Sequence, residues 1–142
     1  GDLIYGFLSY TLSAHFSWDG SLRFVLATLL AAVVFAAFLI LVNSLAFWVG
    51  TVSSFVNLMI NAMLTFGIYP ITLFDNYAKL ILFTLIPAAL MGAVPAEFIA
   101  QFTWQTLARL LLGAIAFLLL AVSVFRLGLK RYESGSAIQV EV

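Results

Sequence analysis

The sequence predicts an all-α fold, a polytopic α-helical membrane protein with about three full spans, and three observations predict it. Only 8% of its 142 residues are charged while 65% are hydrophobic, against roughly 25% charged in a soluble domain. The mean hydropathy is +1.18. A chain so poor in polar surface must have lipid as its solvent. Second, apolar runs of helical length and almost free of charge fill most of the chain. Third, all three prolines (Pro70, Pro87 and Pro95) fall in the 26 residues 70–95. Proline lacks the backbone N–H and clashes with the preceding turn, so it kinks or ends a helix. In lipid a freed carbonyl needs another partner, so broken helices persist only where protein or a wet cavity surrounds them.

The same composition excludes several chemistries. Six Lys/Arg balance six Asp/Glu, so no basic face is available for nucleic acid. There is no cysteine, which removes disulfides, thiolate catalysis and cysteine metal sites. The single histidine, His15, stands beside Phe16 and Trp18; it reads as a polar interfacial anchor rather than a catalytic base or a zinc ligand. No G-x-x-x-x-G-K-[ST] occurs, so the chain cannot cradle ATP phosphates by a P-loop. No catalytic residue, metal site or cofactor is expected in this chain.

Residues 3–16 are apolar but interrupted by Tyr5, Ser9, Tyr10, Thr11 and Ser13. As helix they cover about 21 Å, too short for a hydrocarbon core of about 30 Å. They read as the later part of a span that begins upstream, or as an interfacial helix. Gly1 in place of an initiator methionine predicts a piece of a longer chain, and 1–3 lack the basic start of a signal peptide. Residues 17–21 (Ser-Trp-Asp-Gly-Ser) read as an interfacial turn.

Residues 22–49 form the clearest span, about 42 Å as helix, with Arg23 as their only charge. Ala27/Ala31 and Ala32/Ala36 are small residues four apart, which let another helix approach or are ordinary alanine-rich helix. Gly50 marks a turn. Residues 51–69 are long enough for a second span, and Ser53, Asn57, Asn61 and Thr65 lie four apart along one face. Asparagine is costly in lipid and normally faces protein or water. Two roles fit: interhelical hydrogen bonds of about 0.6–2 kcal/mol each, or the lining of a substrate path.

Residues 70–102 are the proline-punctuated stretch. Residues 76–86 predict a half-helix of about 16 Å, and beyond it Pro87, Gly92 and Pro95 are each expected to break the helix. One kinked span or a hairpin returning to the same face both fit. Residues 104–127 are the last span, with Trp104 at one interface and Arg126, Lys130 and Arg131 at the other. By the positive-inside rule that basic end is cytoplasmic. A hairpin divides the Lys/Arg residues three against three, whereas a full span divides them five against one, so the charge rule alone prefers the full span. Glu97 and Arg109 are placed to pair across the turn at Phe102–Thr103, either closing a helical hairpin or gating a path.

Tyr69-Pro70-Ile71-Thr72-Leu73, then Tyr77-Ala78-Lys79-Leu80-Ile81-Leu82-Phe83, then Ile86-Pro87-Ala88, resembles the signature of type-2 ABC exporter permeases, the ABC-2 family transmembrane subunits. The closing Phe125-Arg126-Leu127-Gly128-Leu129-Lys130-Arg131-Tyr132-Glu133-Ser134 is similar to their cytoplasmic end. Gly1-Asp2-Leu3-Ile4 is similar to the start of a middle span in the small permeases without a fused ATPase. The resemblance covers essentially the whole chain, as the C-terminal half of a six-span permease.

That resemblance implies one transmembrane domain over 1–142, with 70–102 a re-entrant element at the outer face and 128–142 a cytoplasmic tail. It implies a permease subunit of an ABC exporter in the inner (plasma) membrane, paired with a second permease subunit as homo- or heterodimer. ATP and Mg would be bound by a separate ATPase subunit. Ser53, Asn57, Asn61 and Thr65 would line the path, and Pro70, Pro87, Pro95, Glu97 and Arg109 would shape or gate it. ATPase docking is expected mainly upstream of Gly1, with the turn at 49–54 as a further contact. The alternative is a secondary transporter or channel fragment whose half-helix at 76–86 forms a site, with Asp75 its nearby acid. A non-transporting scaffold subunit would need no polar face.

Overall fold

The computed structural model describes residues 4, 6, 8, 11, 12 and 17–137. The expected partial span at 3–16 lies largely outside the described residues, as does His15.

Helix α1 (Trp18–Ser44) begins where Ser17 accepts a hydrogen bond on its hydroxyl from the Gly20 amide at 3.0 Å, satisfying one of the donors a helix start leaves open. Near its other end Asn43 Nδ2 donates to the Leu39 carbonyl (2.8 Å) and Ser44 Oγ to the Ile40 carbonyl (2.6 Å). Such bonds to the preceding turn compete with the backbone ladder, and the helix breaks at Leu45 before resuming as α2 (Ala46–Val49). Together they make one apolar rod of 32 residues, Trp18–Val49. Gly50, at φ +85°, turns the chain; that region costs a residue with a Cβ far more than glycine.

Helix α3 (Ser53–Ile68) ends where Pro70 forces Tyr69 into an extended conformation. A single 3₁₀ turn (Ile71–Leu73) follows. Then come α4 (Asn76–Thr84), α5 (Ala88–Met91), α6 (Ala93–Ala100) and α7 (Trp104–Ala137). There is no strand among the described residues.

Two expectations need correction. Among the described residues two helices, Trp18–Val49 and Trp104–Tyr132, are long and apolar enough to cross a bilayer, or three if the bent pair Asn76–Thr84 and Ala88–Ala100 counts as one span. With that pair set apart as the expected hairpin, this is fewer than the three full spans expected. The shortfall lies in α3, whose 16 residues cover about 24 Å, because Pro70 stops it early and Val52 is not yet helical. Pro95 also does not break a helix. It sits in the first turn of α6, where a missing N–H deprives the helix of little. The bend is at Pro87, where the two arms meet at 70°.

The core is built on α1 and α7, which pack along one another. From α7 it takes Thr106, Leu110, Ala114, Phe117 and Ala121, and from α1 Gly20, Ala27, Val34, Ala37, Phe38 and Val42. These spacings of three, four and seven keep one seam of each helix inward. Alanine and glycine on the seam let the backbones approach, which matters where lipid removes the hydrophobic drive between helices. Of the small pairs, Ala27 is buried and Ala31 half-buried, while Ala32 and Ala36 face outward.

The two helices run parallel. The Arg23 guanidinium lies over the Phe102 ring, 6.0 Å from its centroid, just before α7 begins. At the far end the Phe47 ring meets Phe125 (5.8 Å) and Tyr132 (6.5 Å) edge to face. Helix α3 returns toward the first end. There Gly67 meets Gly92 so closely that a Cβ on Gly92 would fall inside the Gly67 carbonyl oxygen. Residues 67–72 and Gly92, Ala93, Ala96 and Glu97 then line one cleft. Residues 70–102 therefore leave α3 and reach α7 at the same end of the bundle. Arg23 and Arg109 share that end, contrary to the preference of the charge count, and both are paired there: Arg23 with Asp19 and Arg109 with Glu97.

Candidate functional site

The face of α3 that turns away from the bundle carries the four polar residues. Val56 and Met63 are buried and Ile60 packs against the core, whereas Ser53, Asn57, Asn61 and Thr65 are all exposed. Twelve residues separate the first from the last, about 18 Å along the axis, with a polar group roughly every 6 Å.

None of the four side chains makes a hydrogen bond among the described residues. Thr28, Asn43, Ser44 and Thr84, on other apolar helices, each donate to the carbonyl four residues back, at 2.6–2.8 Å, while the exposed Ser54 of α3 and Ser123 of α7 share the unbonded state of the stripe. The α3 stripe thus leaves two amides and two hydroxyls with their capacity unused. An amide unmet in an apolar medium costs about 1–3 kcal/mol, so this face calls for a polar neighbour. Helix α3 itself carries no ionisable residue. What it offers is neutral hydrogen bonding.

At the end shared by Tyr69 and Phe102, Glu97 and Arg109 meet as expected, Oε2 to Nη1 at 3.9 Å, both about half exposed. With Ala100, Gln101, Thr103, Gln105 and Thr106 they line a cleft of about 370 Å³. Its floor is the start of α7. Thr103 Oγ1 accepts from the Thr106 amide at 3.1 Å, and the Thr106 hydroxyl donates to the Thr103 carbonyl at 2.9 Å. That arrangement buries Thr106 without an unmet group. A second cleft of about 310 Å³ lies along the glycine contact, between Tyr69-Pro70-Ile71-Thr72 and Ala96–Glu97. Pro70 is on its wall, Pro87 is buried at the bend, and Pro95 is buried in α6.

Asp75 is committed elsewhere. Its carboxylate accepts from the Ala78 amide at 2.7 Å and caps α4, a structural use of the only acid beside the half-helix. No group of three or more His, Cys, Asp or Glu side chains suited to a metal ion occurs among the described residues.

Two contacts escape a reading by local pattern. Gly67 lies in α3 and Gly92 at the junction of α5 and α6, 25 positions apart, and nothing local announces that they touch; the hint is a glycine in each apolar stretch. Gly128 likewise makes room for the Phe47 ring, whose Cγ would lie 2.8 Å from an added Cβ.

Comparison with curated proteins and with solved structures finds no match. The family model described as ABC-2 family transporter protein matches residues 3–136, nearly the whole chain. Two or three apolar helices able to cross a bilayer, with an all-helical fold and a bent helical pair before the last span, accord with that match. The chain belongs to the ABC-2 family of transporter proteins, as a membrane permease.

Proposed function

We propose that this chain is the membrane-spanning part of an ABC exporter, forming a translocation path with a second permease subunit and driven by separate ATP-hydrolysing subunits. The observation that carries this reading is the outward stripe of Ser53, Asn57, Asn61 and Thr65, exposed and without hydrogen bonds among the described residues. A second subunit or a hydrated path beside α3 supplies what those amides lack. Across a two-fold axis an asparagine suits its own copy, because its amide both donates and accepts.

In this reading the bundle end with Arg126, Lys130 and Arg131 is cytoplasmic, and residues 70–102 enter and leave at the outer face. ATP and Mg belong to the partner ATPase, and the membrane is the inner (plasma) membrane. Closure of the ATPase subunits on ATP favours one arrangement of the permease pair by differential affinity. The contact of Gly67 with Gly92 makes α3 and the outer element move together. Glu97 and Arg109 then sit where the path opens.

The test is the full-length chain isolated from membranes. An ATPase with a P-loop should co-purify, and transport in vesicles should require ATP. Transport that runs on an ion gradient with no such partner would refute the proposal. Asn57→Leu with Asn61→Leu should lower transport more than subunit assembly; equal loss of both would leave only interhelical bonding. A cysteine in place of Lys79 should be labelled from the outer side alone.

A further inference from the structure

Arg109 lies inside the apolar length of α7. From the interfacial Trp104 to Arg126, the next charge after Arg109, the helix rises about 33 Å, close to a hydrocarbon core of about 30 Å. Arg109, five residues in from Trp104, is thus about 7.5 Å below that interface along the axis. A charge at this depth is costly unless it faces protein or a water-filled cavity. Helix side chains lean toward the N-terminal end, which here is the end shared with Phe102. Arg109 reaches back along Gln105, four residues earlier on the same face, into the cleft of about 370 Å³ that it lines with Glu97.

The pair across this cleft is open. At 3.9 Å, Glu97 Oε2 and Arg109 Nη1 attract one another without a hydrogen bond, since a charge-assisted N–H···O bond closes to about 2.7–2.9 Å. The other ion pair at this end, Arg23 with Asp19, is in direct contact. Glu97, Gln101, Gln105 and Arg109 make no side-chain hydrogen bond among the described residues, whereas Thr103 and Thr106 are bonded to one another. A carboxylate, a guanidinium and two carboxamides therefore line one space with their capacity unspent, and their charges sum to zero. A lone anion there would find Arg109 but also Glu97, and a lone cation the reverse. A molecule carrying both an ammonium and an anionic oxygen group suits the two at once: its ammonium donates to the carboxylate, and the guanidinium donates to its oxygens. At the interface marked by Trp104, the group of that kind within reach is the phosphoethanolamine of a phospholipid.

We propose that this cleft binds one phosphoethanolamine group, its phosphate at Arg109 and its ammonium at Glu97, with Gln101 and Gln105 beside the remaining oxygens. The group arrives either on a lipid of the adjoining leaflet or on a soluble phosphodiester. The site rests on α7 crossing the bilayer and not on ATP-driven transport, so the two readings fail separately.

The test is native mass spectrometry of the full-length permease, released from mild detergent after exposure to equal amounts of phosphatidylethanolamine and phosphatidylglycerol. Both lipids carry a phosphate, but only the first carries an ammonium for Glu97. The expected result is preferential retention of phosphatidylethanolamine. Glu97→Gln should lower that preference about fivefold, the upper end for one half-exposed charge pair. Glu97→Lys makes the cleft doubly cationic and should turn the preference toward phosphatidylglycerol, a reversal that loss of folding would not produce. Arg109→Gln should lower retention of both lipids. A second arm compares melting of the lipid-depleted protein with glycerophosphoethanolamine and with glycerophosphoglycerol. Stabilisation by the first alone, lost in Glu97→Gln and without a lipid preference, assigns the site to a soluble ligand; a lipid preference assigns it to the membrane. Equal retention of the two lipids with no selective stabilisation by the soluble compound overturns the proposal, as does a preference that survives both Glu97 variants.

Discussion

Replacing Gly92 by alanine tests whether the outer element and α3 are one body. The new Cβ would lie 2.8 Å from the Gly67 carbonyl carbon and 3.1 Å from its Cα, with the carbonyl oxygen nearer still. Ordinary contact begins at 3.4 Å, so the two backbones must separate by more than half an ångström. No rotamer can absorb that, because every clashing atom is main chain. Overpacking of this kind costs about 1–3 kcal/mol, and a backbone clash belongs at the upper end. Alanine regains part of this, up to about 1 kcal/mol of helix propensity, though Gly92 stands at a helix junction where the gain is smaller. The net loss is about 2 kcal/mol, or a fall in Tm of roughly 5 °C, read by size-exclusion chromatography after heating in detergent. Gly67→Ala is the control. Its nearest foreign atom is the Ala88 carbonyl oxygen at 3.7 Å, so it should be neutral or slightly stabilising. If both variants melt together with the unaltered protein, the glycine contact is not tight and the coupling argument fails.

Other outcomes follow from the same geometry and use the same melting assay. Gly113→Ala should cost less than Gly92→Ala, because the clash is with the Leu90 side-chain end, 2.6 Å away at Cδ1, which can turn aside. Asp75→Ala removes the cap of α4 and should cost about 1 kcal/mol, with Asp75→Asn retaining most of the stability; equal loss in both would point to a need for charge. Glu97→Gln should change stability by less than about 1 kcal/mol, since an ion pair this exposed is screened by water. A transport defect in that variant without a melting change would locate its role in the path. Thr103→Ala should destabilise by about 1 kcal/mol through loss of the Thr106 amide's acceptor.

Much of this arrangement is legible in the sequence because lipid leaves few choices. Charge-free runs of helical length can only be helices there, and Pro70 marks the end of α3 to within two residues. The four-residue spacing of Ser53, Asn57, Asn61 and Thr65 reads directly as one face, and that face is the outward one. Pro95 misleads, because proline in a first turn and proline in a helix interior look alike until the start of α6 at Ala93 is known. The parallel course of α1 and α7 was hidden for a different reason. A charge count weighs Arg23 and Arg109 as free cations, without seeing that Asp19 and Glu97 meet them. The approach of Gly92 to Gly67 belongs to tertiary packing, and no local pattern encodes it.

The two arms that meet at Pro87 also bear on how the chain enters the membrane. Asn76–Thr84 has nine residues and Ala88–Ala100 thirteen, about 14 and 20 Å of helix. Neither partitions into a bilayer on its own. Leu90 also packs against Gly113 of α7, a segment synthesised later. During biosynthesis the stretch can meet α3 through Gly67 and Gly92 before α7 exists, but its packing is completed only when the last helix emerges, and a ribosome stalled before Trp104 would leave that side open.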